Sequence, residues 1–235
     1  MHQCPANGPW CCRYPASGDL LPGIGETFVI ARFLLTLQAV SGQGVSEPLL
    51  PGLFEPAKEG PVIEDIVVAP IFHRSFSCSQ HSSGQEDTTG DALGTDCAID
   101  DDSNASGAGF RRPFRTDGIR NDDWYGWQAD VHAPIGGTIA YLRNNPVTNT
   151  PGTMGRDPAS VIVITASDGT NVVLAHTDRP RVRVGSVVRA GDVVAQVGNN
   201  GFSRAPHIHI GAYRGTTPLQ IRWDLRAMGK VPELN

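Results

Sequence analysis

Six short runs of β-branched and apolar residues constrain the fold of this chain more than any other feature of its sequence. They cover residues 62–71, 138–143, 160–166, 170–176, 186–198 and 207–214. Turn signals such as Ser167-Asp168-Gly169 and Asn199-Asn200-Gly201 separate neighbouring runs. Short strands at a spacing of roughly ten residues are typical of antiparallel sheets rather than of alternating strands and helices. The sequence therefore predicts a mainly β fold, built as an antiparallel sheet or sandwich.

The first 60 residues differ in composition from the rest of the chain. They are rich in Pro, Gly and Cys without a sustained period, which predicts a poorly structured leader or linker before a domain over 61–235. An apolar stretch at 28–40 is either an ordinary amphipathic helix or the hydrophobic part of an export signal that begins far from Met1. Its 13 residues are too few for a comfortable membrane span. We expect export and no stable membrane span.

A second irregular region, about 97–130, interrupts the strand pattern. It contains an acidic run, two adjacent arginines and an aromatic patch made of Trp124, Tyr125 and Trp127. Such a segment predicts a long inserted hairpin or loop, and long loops in compact domains are often functional. The aromatic residues either form a wall of a binding cleft or anchor the hairpin.

Charge and cysteine content exclude two kinds of protein. The net charge is −5 and no basic stripe is present, so nucleic acid is not an expected partner. The five cysteines form no CxxC pair, which argues against a structural zinc ribbon. Cys78 and Cys97 form either a disulfide, if the protein is exported, or two buried thiols.

The strongest local motif is the Pro-His-Ile-His stretch in the last β-type run. His207 and His209 alternate with isoleucines, so both imidazoles leave the same face of a strand. Two imidazoles buried side by side without partners would be costly, which makes a metal site or a catalytic pair as good an explanation as a structural one. His176 ends the 170–176 run, where it faces either solvent or the rim of a sheet.

Two further candidates lie in the Ser- and Gly-rich segment before the insertion. His81 and Asp96 offer an imidazole nitrogen and a carboxylate oxygen. With one more histidine they would supply the three protein ligands of a catalytic zinc site and leave a position open for water. A surface histidine and a turn aspartate are the alternatives. For His73 and His132 we expect structural roles, and His2 carries no functional signal.

Residues 131–143, 174–178 and 182–211 occur in an order and at spacings that resemble the M23 (LytM/lysostaphin-like) zinc metallopeptidases. The resemblance spans about 65–222. It implies a LytM-like β fold, one zinc ion per chain with His209 as a ligand, and catalytic roles for His176 and His207. It also implies that the substrate is a peptide stem or cross-bridge of bacterial peptidoglycan.

The chain departs from that family where the other two ligands are expected. Family members usually take them from a compact HxxxD motif, which is absent here. His81 and Asp96 are the best replacements, so the predicted metal ligands are His81, Asp96 and His209. Asp122 or Asp123 is a rival carboxylate because it lies near the usual distance before residues 131–134, but Gly118 stands four residues before Asp122.

Two other functions compete with a zinc endopeptidase. Some M23-like domains without metal ligands are inactive modules that regulate cell-wall hydrolases, but His176, His207 and His209 are all present here. The 184–198 hairpin also looks like a biotinyl or lipoyl carrier domain. Such carriers need a lysine at the hairpin tip, and Lys58 and Lys230 lie elsewhere, so this function is excluded.

Overall fold

The computed structural model of the protein describes residues 50–58, 60–100 and 111–231, which form two β-sheets and little helix. The mainly β prediction is confirmed. In chain order the strands are β1 (Glu64–Val68), β2 (Phe76–Gln80), β3 (Thr95–Ile99), β4 (Asp130–His132), β5 (Gly137–Arg143), β6 (Val161–Thr165), β7 (Thr170–Ala175), β8 (Thr177–Asp178), β9 (Val187–Val188), β10 (Val193–Val197), β11 (Ile208–Arg214) and β12 (Thr217–Trp223). A 3-10 turn covers Asn121–Asp123, and helix α1 covers Leu225–Met228.

The larger sheet has nine strands, with the main order β1-β12-β11-β7-β6-β5-β9. Strand β3 joins it through β11, and β2 joins through β3. The pairings are antiparallel as predicted, except that β1 runs parallel to β12. The smaller sheet has the order β4-β10-β8.

Every predicted run contains a strand, but β2, β3, β4, β8 and β12 carry no strong sequence signal. Strand β2 (Phe-Ser-Cys-Ser-Gln) lacks a continuous apolar pattern, and β12 contains Pro218, a residue that disfavours a strand assignment. The insertion predicted at 97–130 begins too early, because Cys97–Ile99 belong to β3. Part of that segment (101–110) and the apolar stretch at 28–40 lie outside the described residues.

Strands β6 and β7 are covered on both faces, which is why they read as nearly continuous apolar runs. Alternate residues such as Ile162 and Leu174 enter the main core, while Val163 and Val173 pack on the other face with Leu53. Leu53 is buried, so residues 50–58 already pack on this domain. Burial of one leucine side chain contributes about 1.5–3 kcal/mol. None of the described helices is long and apolar enough to cross a membrane.

The described end of the insertion is a loop fastened by its aromatic residues. The indole Nε1 of Trp124 donates a hydrogen bond to the Gly118 carbonyl at 2.9 Å, and its ring contacts Phe114. Tyr125 packs against the main core and beneath the guanidinium of Arg115. These contacts support the anchoring interpretation for Trp124 and Tyr125.

Candidate metal centre

Strand β11 brings residues of the candidate site together by pairing with two other strands. Its first residues pair with β3 on one side and with the end of β7 on the other. His209 lies directly opposite Asp96 of β3 and opposite Ala175 of β7. Directly opposed residues on neighbouring strands share a face of the sheet. The register therefore places His209 beside Asp96, 113 residues away in sequence, and next to the turn that carries His176.

Strand β2 adds the third residue of the predicted set. Ser79 lies opposite Asp96, and His81 follows two residues later, so its side chain leaves the same face. The backbone N–H of His81 donates to the Gly94 carbonyl at 2.9 Å, which continues the β2–β3 pairing beyond Gln80. One candidate ligand atom from each of His81, Asp96 and His209 lies within 4.8 Å of the other two. The structure thus brings together the three residues predicted as metal ligands.

The distances among these three residues fit a zinc ion. Asp96 Oδ1 lies 3.0 Å from His209 Nδ1, and Asp96 Oδ2 lies 3.5 Å from His81 Nε2. Two ligands of a tetrahedral zinc ion are about 3.3 Å apart, given bonds of about 2.0–2.1 Å. His81 also has a buried Nδ1 without a hydrogen-bond partner among the described residues. Two imidazoles and one carboxylate match a catalytic zinc site with an open position.

Close contacts between carboxylates and imidazoles shift the pKa values of Asp96 and His209. Burial alone would raise the pKa of Asp96, but hydrogen bonds from His207, His209 and His81 hold it well below its usual range. Burial would lower the pKa of His209, yet the carboxylates of Asp91 and Asp96 raise it to about 10. Asp96 is therefore anionic at neutral pH, as a metal ligand must be.

Asp91 is a site residue that sequence reasoning missed. Its Oδ1 lies 3.1 Å from His209 Nε2, although the ring N–H is not aligned for a hydrogen bond. The Thr88 hydroxyl donates to Asp91 Oδ2 at 2.6 Å and holds the carboxylate in place. A carboxylate that accepts a hydrogen bond from the second nitrogen of a ligating histidine orients the ring, and Asp91 lies within reach of that nitrogen. Nothing in the acidic segment 86–96 singles out Asp91 before the β3–β11 register is known.

Gly94 is the second residue that sequence reasoning missed. It faces the His209 ring, and a Cβ built on it would lie 2.5 Å from Cε1 and 2.8 Å from Nε2. Those distances are well inside van der Waals contact, so any larger residue at this position would have to displace the imidazole. The sequence Gly94-Thr95-Asp96 is typical of a turn, and only the strand pairing shows how closely Gly94 approaches the His209 ring.

His176 and His207 form a second pair beside the first group, with ring centroids 4.6 Å apart. His176 Nδ1 donates to the Asn200 carbonyl at 2.8 Å, and His207 Nδ1 donates to the Ala205 carbonyl at 2.8 Å. Burial lowers the pKa of His176 to about 3, so its ring is neutral and Nε2 carries the free lone pair. His207 Nε2 lies 3.6 Å from Asp96 Oδ1, which connects this pair with the metal-ligand group.

The backbone at His176 is in the left-handed region, with φ of 62°. Residues other than glycine are uncommon in that region, and such strained positions cluster at functional sites. The conformation turns the chain sharply at the end of β7. It follows that His176 points across the site instead of continuing the alternation of the strand.

The rival carboxylates serve the insertion loop. Asp122 pairs with Arg120, with 2.7 Å between Oδ2 and Nη2. Asp123 accepts backbone hydrogen bonds from Thr116 and Gly118. Among the described residues, the candidate metal group contains Asp96 and neither of these two.

His73 and His132 lie outside the site, as expected. Their rings stack with centroids 3.7 Å apart, and His132 Nδ1 bonds to the Gly191 carbonyl. His2 is outside the described residues.

Part of this chain is similar in sequence to a known protein family. Residues 125–221 match the sequence profile of Peptidase family M23. Comparison with curated protein sequences gives no significant match. The matched range contains His176, His207 and His209 but neither His81 nor Asp96.

Similar solved structures include three M23 proteins. The catalytic domain of the antimicrobial peptidase lysostaphin from Staphylococcus simulans is 15% identical, with a TM-score of 0.37; the match covers 63% of this chain and 88% of that one. The catalytic domain of the prophage-encoded M23 protein EnpA from Enterococcus faecalis is 17% identical, with a TM-score of 0.37 and coverages of 72% and 95%. A protein from Pseudomonas aeruginosa described as a peptidase M23 is 16% identical, with a TM-score of 0.32; 46% of this chain is covered and only 40% of that one. The profile match assigns residues 125–221, which include these three histidines, to peptidase family M23.

Proposed function

We propose that this domain is a zinc-dependent endopeptidase that hydrolyses peptide bonds in the stems or cross-bridges of bacterial peptidoglycan. The observation that carries the proposal is the convergence of His81, Asp96 and His209 next to the His176–His207 pair, within an M23 domain. In this proposal the first three residues bind the metal and the other two handle protons. One zinc ion per chain is expected.

The chemistry divides between the metal and the second histidine pair. When bound, zinc lowers the pKa of a coordinated water toward 7 and polarises the scissile carbonyl. His176 presents a neutral Nε2 that can accept a hydrogen bond and orient the attacking water, because its Nδ1 is bonded to the Asn200 carbonyl. His207 would pass a proton from Nε2 toward the leaving amine and stabilise negative charge on the carbonyl oxygen.

The cellular location belongs to the same proposal. Cys78 and Cys97 form a disulfide between β2 and β3. Disulfides persist in oxidising compartments and are rare in the cytosol. This supports a protein exported to the periplasm, the cell envelope or the medium, where peptidoglycan is accessible.

The first experiment is metal analysis of the purified protein, followed by digestion of purified peptidoglycan. The parent should contain one zinc ion per chain and release new amino termini from the polymer. His81→Ala and Asp96→Ala should lose both zinc and activity, whereas His207→Ala should keep zinc and lose activity. Asp122→Ala is the matched control for removal of a carboxylate and should behave like the parent. A folded parent that takes up no zinc, even when zinc is supplied, would rule out the proposal.

The alternative is a catalytically inactive M23-like module that binds or regulates cell-wall hydrolases. The observation that favours it is the departure from the compact HxxxD motif, since His81 and Asp96 are separated by 15 positions. A parent that binds zinc or peptidoglycan but releases no amino termini from any peptidoglycan preparation would support this second function.

A further inference from the structure

We propose that the Cys78–Cys97 disulfide is a positioning element of the metal centre, which holds β2 in the register that brings His81 to Asp96. The proposal rests on the zinc-binding role proposed above for His81 and Asp96. It extends that function by naming the feature that replaces the missing HxxxD motif.

The disulfide joins the two strands that carry these ligands. Cys78 and Cys97 are directly opposed in the β2–β3 pairing. Cys97 follows Asp96 immediately, and Cys78 precedes His81 by three residues. In an HxxxD motif the short spacing itself keeps the two ligands close, because few backbone dihedrals lie between them. Here the connection after His81 runs through residues 82–94, so that constraint is absent.

A side-chain hydrogen bond that also specifies the register of β2, from the Ser77 hydroxyl to Asp100 Oδ1, lies toward the start of the strand and away from His81. Among the described strands β2 pairs only with β3, and Ser77, Ser79 and Gln80 are exposed. A strand with polar residues on both faces specifies its register weakly, and a slip of one residue turns every side chain to the opposite face. Such a slip would move the His81 imidazole away from Asp96.

The disulfide face of β2 borders a groove that is open to solvent. The groove has a volume of about 410 Å³. Its lining residues are Phe76, Cys78, Gln80, Thr95, Trp223 and Met228. Phe76 fixes the start of β2 through edge-on contacts with Phe72 and Trp223. At the other end, the connections found between the strands are the backbone pairing, which reaches Gly94, and the disulfide.

The test is a double-mutant cycle read out as zinc affinity of the full chain, measured by competition with a chromophoric chelator. Cys78→Ala/Cys97→Ala should weaken zinc binding about tenfold or more, the usual size of a loss of ligand positioning. The same pair of substitutions made together with His81→Ala should cause no further loss, because the disulfide acts through His81. Bound cobalt provides a second readout, since its absorption spectrum in the cysteine variant should approach that of His81→Ala.

Three results would overturn the inference. Zinc affinity equal to that of the parent would show that the disulfide does not position the ligand. An equal loss with and without His81 would show a general structural effect. A parent that binds no zinc would refute the proposed function itself, and this inference with it. If circular dichroism shows the alanine variant to be unfolded, Cys78→Ala/Cys97→Val keeps apolar volume at the buried Cys97 position and repeats the test.

Discussion

Replacement of Gly94 by alanine is the most direct perturbation of the candidate metal centre. The new Cβ would lie 2.5 Å from His209 Cε1 and 2.8 Å from Nε2, whereas ordinary contact begins at 3.4 Å. The imidazole edge must therefore retreat by about 0.6–0.9 Å. His209 lies in a strand paired on both sides, so the ring has to rotate instead of moving with its backbone. Loss of ligand orientation typically costs 10- to 100-fold in metal affinity, or about 1.4–2.8 kcal/mol.

The assay is zinc competition against a chromophoric chelator, with circular dichroism to establish that the variant is folded. Gly136→Ala is the matched control, because its Cβ would meet nothing closer than 3.6 Å and its backbone φ is not positive. We expect zinc affinity to fall in Gly94→Ala and to stay at the parent value in Gly136→Ala. A folded Gly94→Ala protein that binds zinc as tightly as the parent would show that His209 in this position is not the ligand.

Three further outcomes are expected. Asp91→Asn should weaken zinc binding about tenfold in the same competition assay, because the His209 ring loses its anionic partner, whereas Asp122→Asn should not change it. Burial lowers the pKa of His176 from 6.5 to about 3, so between these pH values the unfolded chain binds a proton that the folded chain does not. In urea unfolding, this difference should lower the free energy of unfolding by about 1.4 kcal/mol for each pH unit below 6.5. The His176→Asn variant should lack this contribution, and asparagine tolerates the positive φ. If the free energy of unfolding had the same pH dependence in parent and variant, the burial argument would be contradicted. Removal of zinc with a chelator should lower the Tm, and added zinc at about 100 times its Kd should restore about 2.7 kcal/mol; a Tm indifferent to zinc would contradict a metal bound only by the folded chain.

The histidines of the last strands were predictable because their signals are local. The alternation of His207 and His209 with isoleucines depends only on the two-residue period of a strand. The apolar runs at 160–166 and 170–176 are typical of strands buried on both faces. His176 was recognisable as a strand end, although its left-handed backbone was not. The structure places His207 Nε2 and His209 Nδ1 within 3.6 Å of the same carboxylate oxygen, as two side chains leaving one face require.

The other half of the site depended on contacts between segments distant in sequence. The sequence favours Asp96 over its rivals Asp122 and Asp123 without excluding them, and only the pairing of β3 with β11 brings Asp96 opposite His209. The same pairing brings Gly94 so close to the His209 ring that a larger side chain would not fit, and it brings Asp91 next to that ring. Strand β2 was not predicted because its five residues are mostly polar.

The sequence by itself determined a β-rich fold, since strand periodicity depends only on neighbouring residues, and it marked His176, His207 and His209 through motifs that resemble peptidase family M23. The tertiary structure decided which carboxylate and which upstream histidine lie beside them, because strand pairing joins segments that no local pattern connects.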